Sequence, residues 1–141
     1  MVADRTTDGV RIAQLLASEL VGDRDVLAEA GVSDADPEVE PTTQGALAYR
    51  VRVDPGEAGV DEASGTDGAA RLLAEVFVHS DRARVEFVAA PDVAAEAAED
   101  AGLRVRPKAV TPPRTVVFVE DGAQVKRVLS AFRAVAGGDS A

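Results

Sequence analysis

Apolar residues recur at helical spacing in three segments of the chain. Residues 9–21 present one apolar face and follow Asp8, a residue type that caps the starts of helices. A second helix, of about ten residues, is predicted to begin at Pro91, because proline is favoured at the first helical position. A third is predicted over residues 122–136, with Asp121 as its cap.

Alternation of apolar and polar residues predicts the strands. Two of them form a hairpin about Ser80 and Asp81, although this turn lacks the glycine that tight hairpins favour. In this hairpin Val76 and Val78 are expected to point inward with Val85 and Phe87. The predicted strands span residues 46–53, 71–79, 82–90, 103–108 and 115–120, and a short strand is expected near 28–34 within a region that otherwise resembles a loop.

The order of these elements mixes hairpins with a helical crossover. It predicts an α+β fold, with a mainly antiparallel sheet of four to six strands and about three helices packed mostly on one face. Residues 1–136 are predicted to form a single domain. Residues 54–70 lack periodicity and are rich in Gly, Ser and acids, so we expect a flexible acidic loop there. Residues 137–141 are expected to be a disordered tail.

The charge balance favours a protein that works in high salt. The chain has 15 basic and 25 acidic residues, a net charge of −10, and all its basic residues except Lys108 and Lys126 are arginine. At molar salt, screening acts over about 3 Å, so repulsion between surface carboxylates costs little. A GC-rich genome would also favour Arg, Ala, Val and Gly, but it would not require this acidity. We therefore expect a halophilic origin.

Composition also narrows the cellular setting and the chemistry. There is no cysteine, which excludes disulfides, thiolate catalysis and cysteine-based zinc sites. No run approaches the roughly 20 apolar residues of a membrane span. The N-terminal segment MVADRTTDGV lacks the apolar region of a signal peptide. A cytoplasmic protein without a membrane partner is expected.

Two segments carry a resemblance to other proteins. The segment GLRVRPKAV begins at Gly102, and TVVFVEDGAQVKRVL begins at Thr115. Together with the overall composition, residues 8–20 and 103–136 resemble short acidic haloarchaeal proteins of unknown function. This resemblance implies no activity and no functional residues.

Charge is unevenly distributed along the chain. Residues 101–141 hold seven basic and three acidic residues, whereas the first hundred hold eight and 22. Strand alternation turns five arginines away from the core, and the densest basic stretch, residues 104–114 with three prolines, adds Lys108 and Arg114 to this set. We interpret this set as a candidate site for an anion or a partner, because arginine forks match phosphate oxygens. Its members are Arg50, Arg52, Arg84, Arg104, Arg106, Lys108 and Arg114.

Two alternatives stay open for these cations. One is cross-strand pairing with Glu75 and Glu86 on a solvated surface, worth about 0.2–1 kcal/mol per pair. The other is nucleic-acid binding, which is possible but not favoured. Sheets that bind nucleic acid usually carry exposed aromatic rings, and this face is expected to have none. High salt also weakens purely electrostatic binding.

No catalytic, metal or cofactor site is predicted. His79 is the single histidine, so a site with several histidines is excluded, and the pattern favours a strand-end histidine without a role. Neither GxGxxG nor GxxxxGK[ST] occurs. The alternating acids of residues 34–40 lack the spacing of a calcium loop.

The sequence therefore favours a non-catalytic interaction module that associates with itself or with a protein partner. Anion or nucleic-acid binding through the basic strands is the first alternative. An enzyme without a recognisable motif is the second.

Overall fold

The computed structural model describes residues 8–22, 30–33, 35–36, 38–53, 71–110 and 113–138. The predicted acidic loop at 54–70 and the last residues, 139–141, lie outside these ranges. In chain order, the helices and strands are α1 (Gly9–Gly22), β1 (Ala30–Ser33), β2 (Ala46–Val53), β3 (Arg71–Val78), β4 (Ala83–Phe87), α2 (Pro91–Asp100), β5 (Arg104–Lys108), β6 (Arg114–Val119) and α3 (Gly122–Gly138).

The strands form one antiparallel sheet in the order β1-β2-β3-β4-β6-β5. The chain lays down β1 to β4 as consecutive neighbours, leaves the sheet through α2 and returns at the far edge as β5. Strand β6 then fills the gap between β5 and β4. The predicted α+β class, with about three helices and up to six antiparallel strands, is confirmed.

The helices of the described part of the chain pack on one face of the sheet, and α3 contacts both α1 and α2. The inward residues of the predicted hairpin, Val76, Val78, Val85 and Phe87, are fully buried there. The predicted apolar face of α3 meets them, with the ring centroids of Phe132 and Phe87 4.8 Å apart. Small residues such as Ala94 and Ala98 of α2 complete this aromatic-poor core.

The predicted helix caps are present. Asp8 Oδ1 accepts hydrogen bonds from the backbone N–H groups of Val10 and Arg11, at 3.0 and 3.2 Å. Asp121 Oδ1 accepts one from the N–H of Gln124 at 2.9 Å. Both satisfy donors that the first helical turn leaves without a partner. Helix α3 extends two residues beyond the predicted end.

Strand β2 departs from simple alternation. Its register against β3 shifts between Leu47 and Tyr49, so that Leu47 pairs with Phe77 and Tyr49 pairs with Val76. Strict alternation would place Leu47 and Tyr49 on one face, but a bulge at Ala48 inserts one extra residue and puts them on opposite faces. Tyr49 faces α1, where its buried hydroxyl donates to the carbonyl oxygen of Ala13 at 2.7 Å.

None of the described helices is both long and apolar enough to cross a lipid bilayer.

Candidate functional site

The candidate cations lie on the face of the sheet opposite the helices, which we term the open face. They are arranged in rows that run across the strands. Cross-strand partners point to the same side of a sheet, so each row brings together residues that are distant in sequence. One row consists of Leu47, Phe77, Arg84, Phe118 and Arg104. The next consists of Ser33, Arg50, Glu75, Glu86, Val116 and Arg106. Beyond it, Arg52 pairs with Leu72 and Lys108 pairs with Arg114.

Glu86 is the centre of this face. It is only 1% exposed, although it lies on the side of the sheet away from the helices. Lys108 Nζ lies 3.1 and 3.2 Å from its two carboxylate oxygens, and Arg114 Nη1 donates to it at 3.0 Å. Arg84 Nε is 2.9 Å away, but its N–H does not point at the oxygen, so this contact is an ion pair without a hydrogen bond. One carboxylate therefore holds three cations.

Glu75 lies on β3, next to Glu86 on β4, and binds two of the candidate cations. Arg50 Nε and Arg114 Nη1 each lie 2.8 Å from its oxygens. Burial raises the pKa of Glu75, but the hydrogen bonds from the two arginines outweigh it and leave that pKa below its usual value. The hydrogen bond to Glu75 in turn raises the pKa of Arg114. The predicted cross-strand Arg–Glu pairing is thus present at Arg50 and Arg114.

Other candidate cations lie towards the two edges. Arg52 Nε donates to Ser33 Oγ at 2.9 Å beside β1. Arg104 Nη1 donates to Glu120 at 2.6 Å in an exposed ion pair. Arg106 is exposed on β5 and forms no ion pair within the described part of the chain. Five of the seven candidate cations therefore pair with carboxylates, Arg52 donates to a hydroxyl, and Arg106 has no ion pair among the described residues.

Two recesses open on this face, on either side of the contact between Lys108 and Glu86. The first has a volume of about 430 Å³. Its charged lining consists of Arg82, Arg84, Arg106, Lys108 and Glu86. The second, of about 410 Å³, is lined by Arg84, Lys108 and Arg114 with the same Glu86. Each recess is cationic, with four basic residues against one carboxylate in the first and three against one in the second.

The expectation that this face has no aromatic rings is wrong. Phe77 and Phe118 are both half-buried on it, and each lines one of the recesses. The Cζ atom of Arg84 lies 4.5 Å from the ring centroid of Phe77. Two guanidinium groups approach Phe118, those of Arg104 at 5.4 Å and Arg82 at 5.6 Å. The signal was present in the sequence, because inward Val76 and Val78 require Phe77 between them to face outward.

His79 borders the first recess and is almost fully buried. Its Nε2 lies 3.1 Å from Arg84 Nη1, and its Nδ1 lies 3.2 Å from the carbonyl oxygen of Thr43. A guanidinium can only donate, so Nε2 is the acceptor and Nδ1–H donates to Thr43. Both contacts require a neutral imidazole, and this imidazole orients Arg84. A second anchor for Arg84 is the carbonyl oxygen of Gln44, 3.0 Å from the same Nη1.

This arrangement predicts a pH dependence of folding stability. Burial, and then the charges of Arg82 and Arg84, hold the pKa of His79 below its usual value. The unfolded chain, with a histidine pKa of about 6.5, therefore binds this proton more readily than the folded chain. Above that pH the residue adds no pH dependence, and as pH falls below it the free energy of unfolding should decrease.

The check is a set of denaturation curves between neutral and mildly acidic pH, together with an NMR titration of the single imidazole. His79→Gln should remove this part of the pH dependence. An imidazole that titrates at or above the unfolded value would contradict the assignment.

The chemistry that this arrangement supports is anion binding. Within the ranges that the structure describes, no group of three or more His, Cys, Asp or Glu residues is placed to hold a metal ion. The first recess presents guanidinium and ammonium donors beside the apolar side chains of Val116 and Phe118.

Comparisons with known proteins place the chain in a family without adding an activity. No curated protein and no solved structure matches it. A family model does match, over residues 1–141, which is the entire sequence. The chain belongs to DUF7993, a family of unknown function.

Proposed function

We propose that this protein is a binding module that holds phosphate-bearing anions on the open face of its sheet. The observation that carries the proposal is the first recess, which four basic side chains and a single carboxylate line. Planar guanidinium forks donate two parallel hydrogen bonds to phosphate oxygens. A chain with a net charge of −10 that gathers cations in one recess supports a dedicated site for an anion.

Arg106 and Lys108 are the residues best placed to meet the ligand. Arg106 has no ion-pair partner among the described residues, so its charge is available to an incoming anion. Lys108 is 43% exposed in its side chain although it contacts Glu86, so it reaches both the carboxylate and solvent. Arg84 lies deeper and is oriented by His79 and Gln44. The recess thus combines a fixed guanidinium with two accessible cations.

The size of the recess fits this role. Sites for small ligands typically have volumes of about 300–1,000 Å³, and the first recess lies in that range. Self-association of the protein stays a prediction.

The test is calorimetric titration with inorganic pyrophosphate, in the lowest salt that keeps the protein folded. Arg106→Gln should weaken binding about tenfold, since a hydrogen bond to a charged group contributes about 1.5–3 kcal/mol. The matched control is Arg127→Gln, which removes the same charge from an exposed position on α3.

The control variant should change the dissociation constant less than about twofold, because a solvated charge remote from the site is screened. Equal losses in the two variants would show a general charge effect instead of a site. Absence of pyrophosphate binding to the unaltered protein would refute the proposal.

A further inference from the structure

We infer that the ligand is single-stranded nucleic acid, with its bases stacked against the guanidinium–phenyl pairs at Phe77 and Phe118. This inference rests on the proposed anion-binding function and names the class of anion. It reverses the preference that the sequence suggested, because the absence of aromatic rings was the main argument against nucleic acid.

The first support is the row that crosses the sheet through these rings. Phe77 on β3, Arg84 on β4, Phe118 on β6 and Arg104 on β5 are consecutive cross-strand neighbours. Aromatic and guanidinium side chains therefore alternate along one line. Adjacent strands lie about 4.8 Å apart, so the two rings stand roughly 10 Å from each other.

The second support is that the two recesses repeat the same chemistry. Each contains one phenyl ring, and both share Arg84, Lys108 and Glu86. Each thus offers a stacking surface beside donors for a phosphate. A single nucleotide would use only one such set, whereas a strand of nucleotides can occupy both.

The third support is the contact between guanidinium and ring. Arg84 lies over Phe77, and Arg104 and Arg82 approach Phe118. Unpaired bases stack on aromatic rings and on arginine planes alike. An arginine already held over a ring loses less side-chain freedom when a base stacks on it. In a duplex the faces of the bases are covered by their neighbours, so the arrangement favours a single strand.

Stacking also answers the objection from salt. The phosphate contacts release counterions and weaken as salt rises. Base stacking contributes about 1–3 kcal/mol per base and is not a counterion-release effect. A face that combines both can retain affinity where a purely electrostatic face would lose it.

The first experiment compares ligands on the intact protein by fluorescence anisotropy. A labelled oligouridylate of about eight nucleotides is set against an abasic phosphate backbone of equal length, an RNA duplex and uridine monophosphate. The oligouridylate should bind at least about tenfold tighter than each of these, as expected from one or more stacked bases. An oligothymidylate should bind similarly, because nothing in the argument uses the ribose hydroxyl, and a markedly weaker DNA would overturn that part.

The second experiment uses two variants that keep the charge of the site. Phe118→Leu removes a ring, and Arg104→Lys removes a guanidinium plane while it retains the positive charge. Both should reduce the preference for the oligouridylate over the abasic backbone to less than about threefold, because they remove stacking and leave the charges.

The outcomes separate this inference from the function on which it rests. If pyrophosphate binds but the abasic backbone or the mononucleotide binds as tightly as the oligouridylate, the inference is wrong and anion binding survives. If both variants retain the full preference for bases, the stacking assignment is wrong. If the unaltered protein does not bind pyrophosphate, the proposed function itself fails.

Discussion

Gly9→Ala should be among the most destabilising single substitutions in this protein, with a loss of at least about 3 kcal/mol in the free energy of unfolding. A methyl group added at Gly9 would collide with the carbonyl oxygen of His79 and would lie 2.5 Å from that of Arg82. Both are backbone atoms beside the β3–β4 turn, so neither can rotate away. Relief requires α1 to move, and α1 places Ile12 and Leu16 in the core with no exposure.

The matched control is Gly22→Ala at the other end of the same helix. Among the residues that the structure describes, no atom lies within 4 Å of a methyl group there. Alanine is better than glycine in a helix by up to about 1 kcal/mol, so this variant should be unchanged or slightly more stable. Thermal and chemical denaturation of the two variants measures the difference. A Gly9→Ala protein as stable as Gly22→Ala would show that the close approach of α1 to the turn is not required.

Period and capping signals in the sequence predicted most of the fold. Apolar residues recur at helical spacing along α3 and alternate with polar residues along the β3–β4 hairpin, so each pattern indicates one type of element. Asp8 and Asp121 cap the starts of two helices, as predicted. Strand alternation also assigned five of the candidate cations, all arginines, to one side of the sheet. These features depend on residues near each other in the chain, which is why they could be predicted from sequence.

The contacts between side chains of the site depend on which strands are neighbours in the sheet, and alternation does not determine that order. Lys108 meets Glu86 only because β5 lies at the edge of the sheet and β6 joins it to β4. The same order brings Phe118 beside Arg84. No turn residue or glycine in the sequence marks the bulge at Ala48. Alternation states which face a residue occupies, whereas the strand order decides which residues on that face touch.

Glu86→Ala should destabilise the fold by about 3 kcal/mol, at the low end of what breaking a buried ion pair costs. The substitution leaves Arg84, Lys108 and Arg114 close together without the carboxylate they share. The loss is limited because Lys108 reaches solvent and Arg114 keeps its bond to Glu75. The control is Glu99→Gln, which alters an exposed carboxylate on α2 and should leave the unfolding midpoint unchanged.

Glu86→Gln tests whether this carboxylate acts as an internal counter-ion that competes with the ligand. The amide keeps the shape of the side chain and removes its negative charge, so stability should fall less than in Glu86→Ala. Pyrophosphate should then bind about tenfold more tightly, because Arg84 and Lys108 would be balanced by the ligand alone. Calorimetric titration beside Glu99→Gln measures the effect. An unchanged or weaker affinity for pyrophosphate would mean that Glu86 positions the cations without competing with the ligand. A tighter affinity would mean that Glu86 stabilises the fold and at the same time weakens ligand binding.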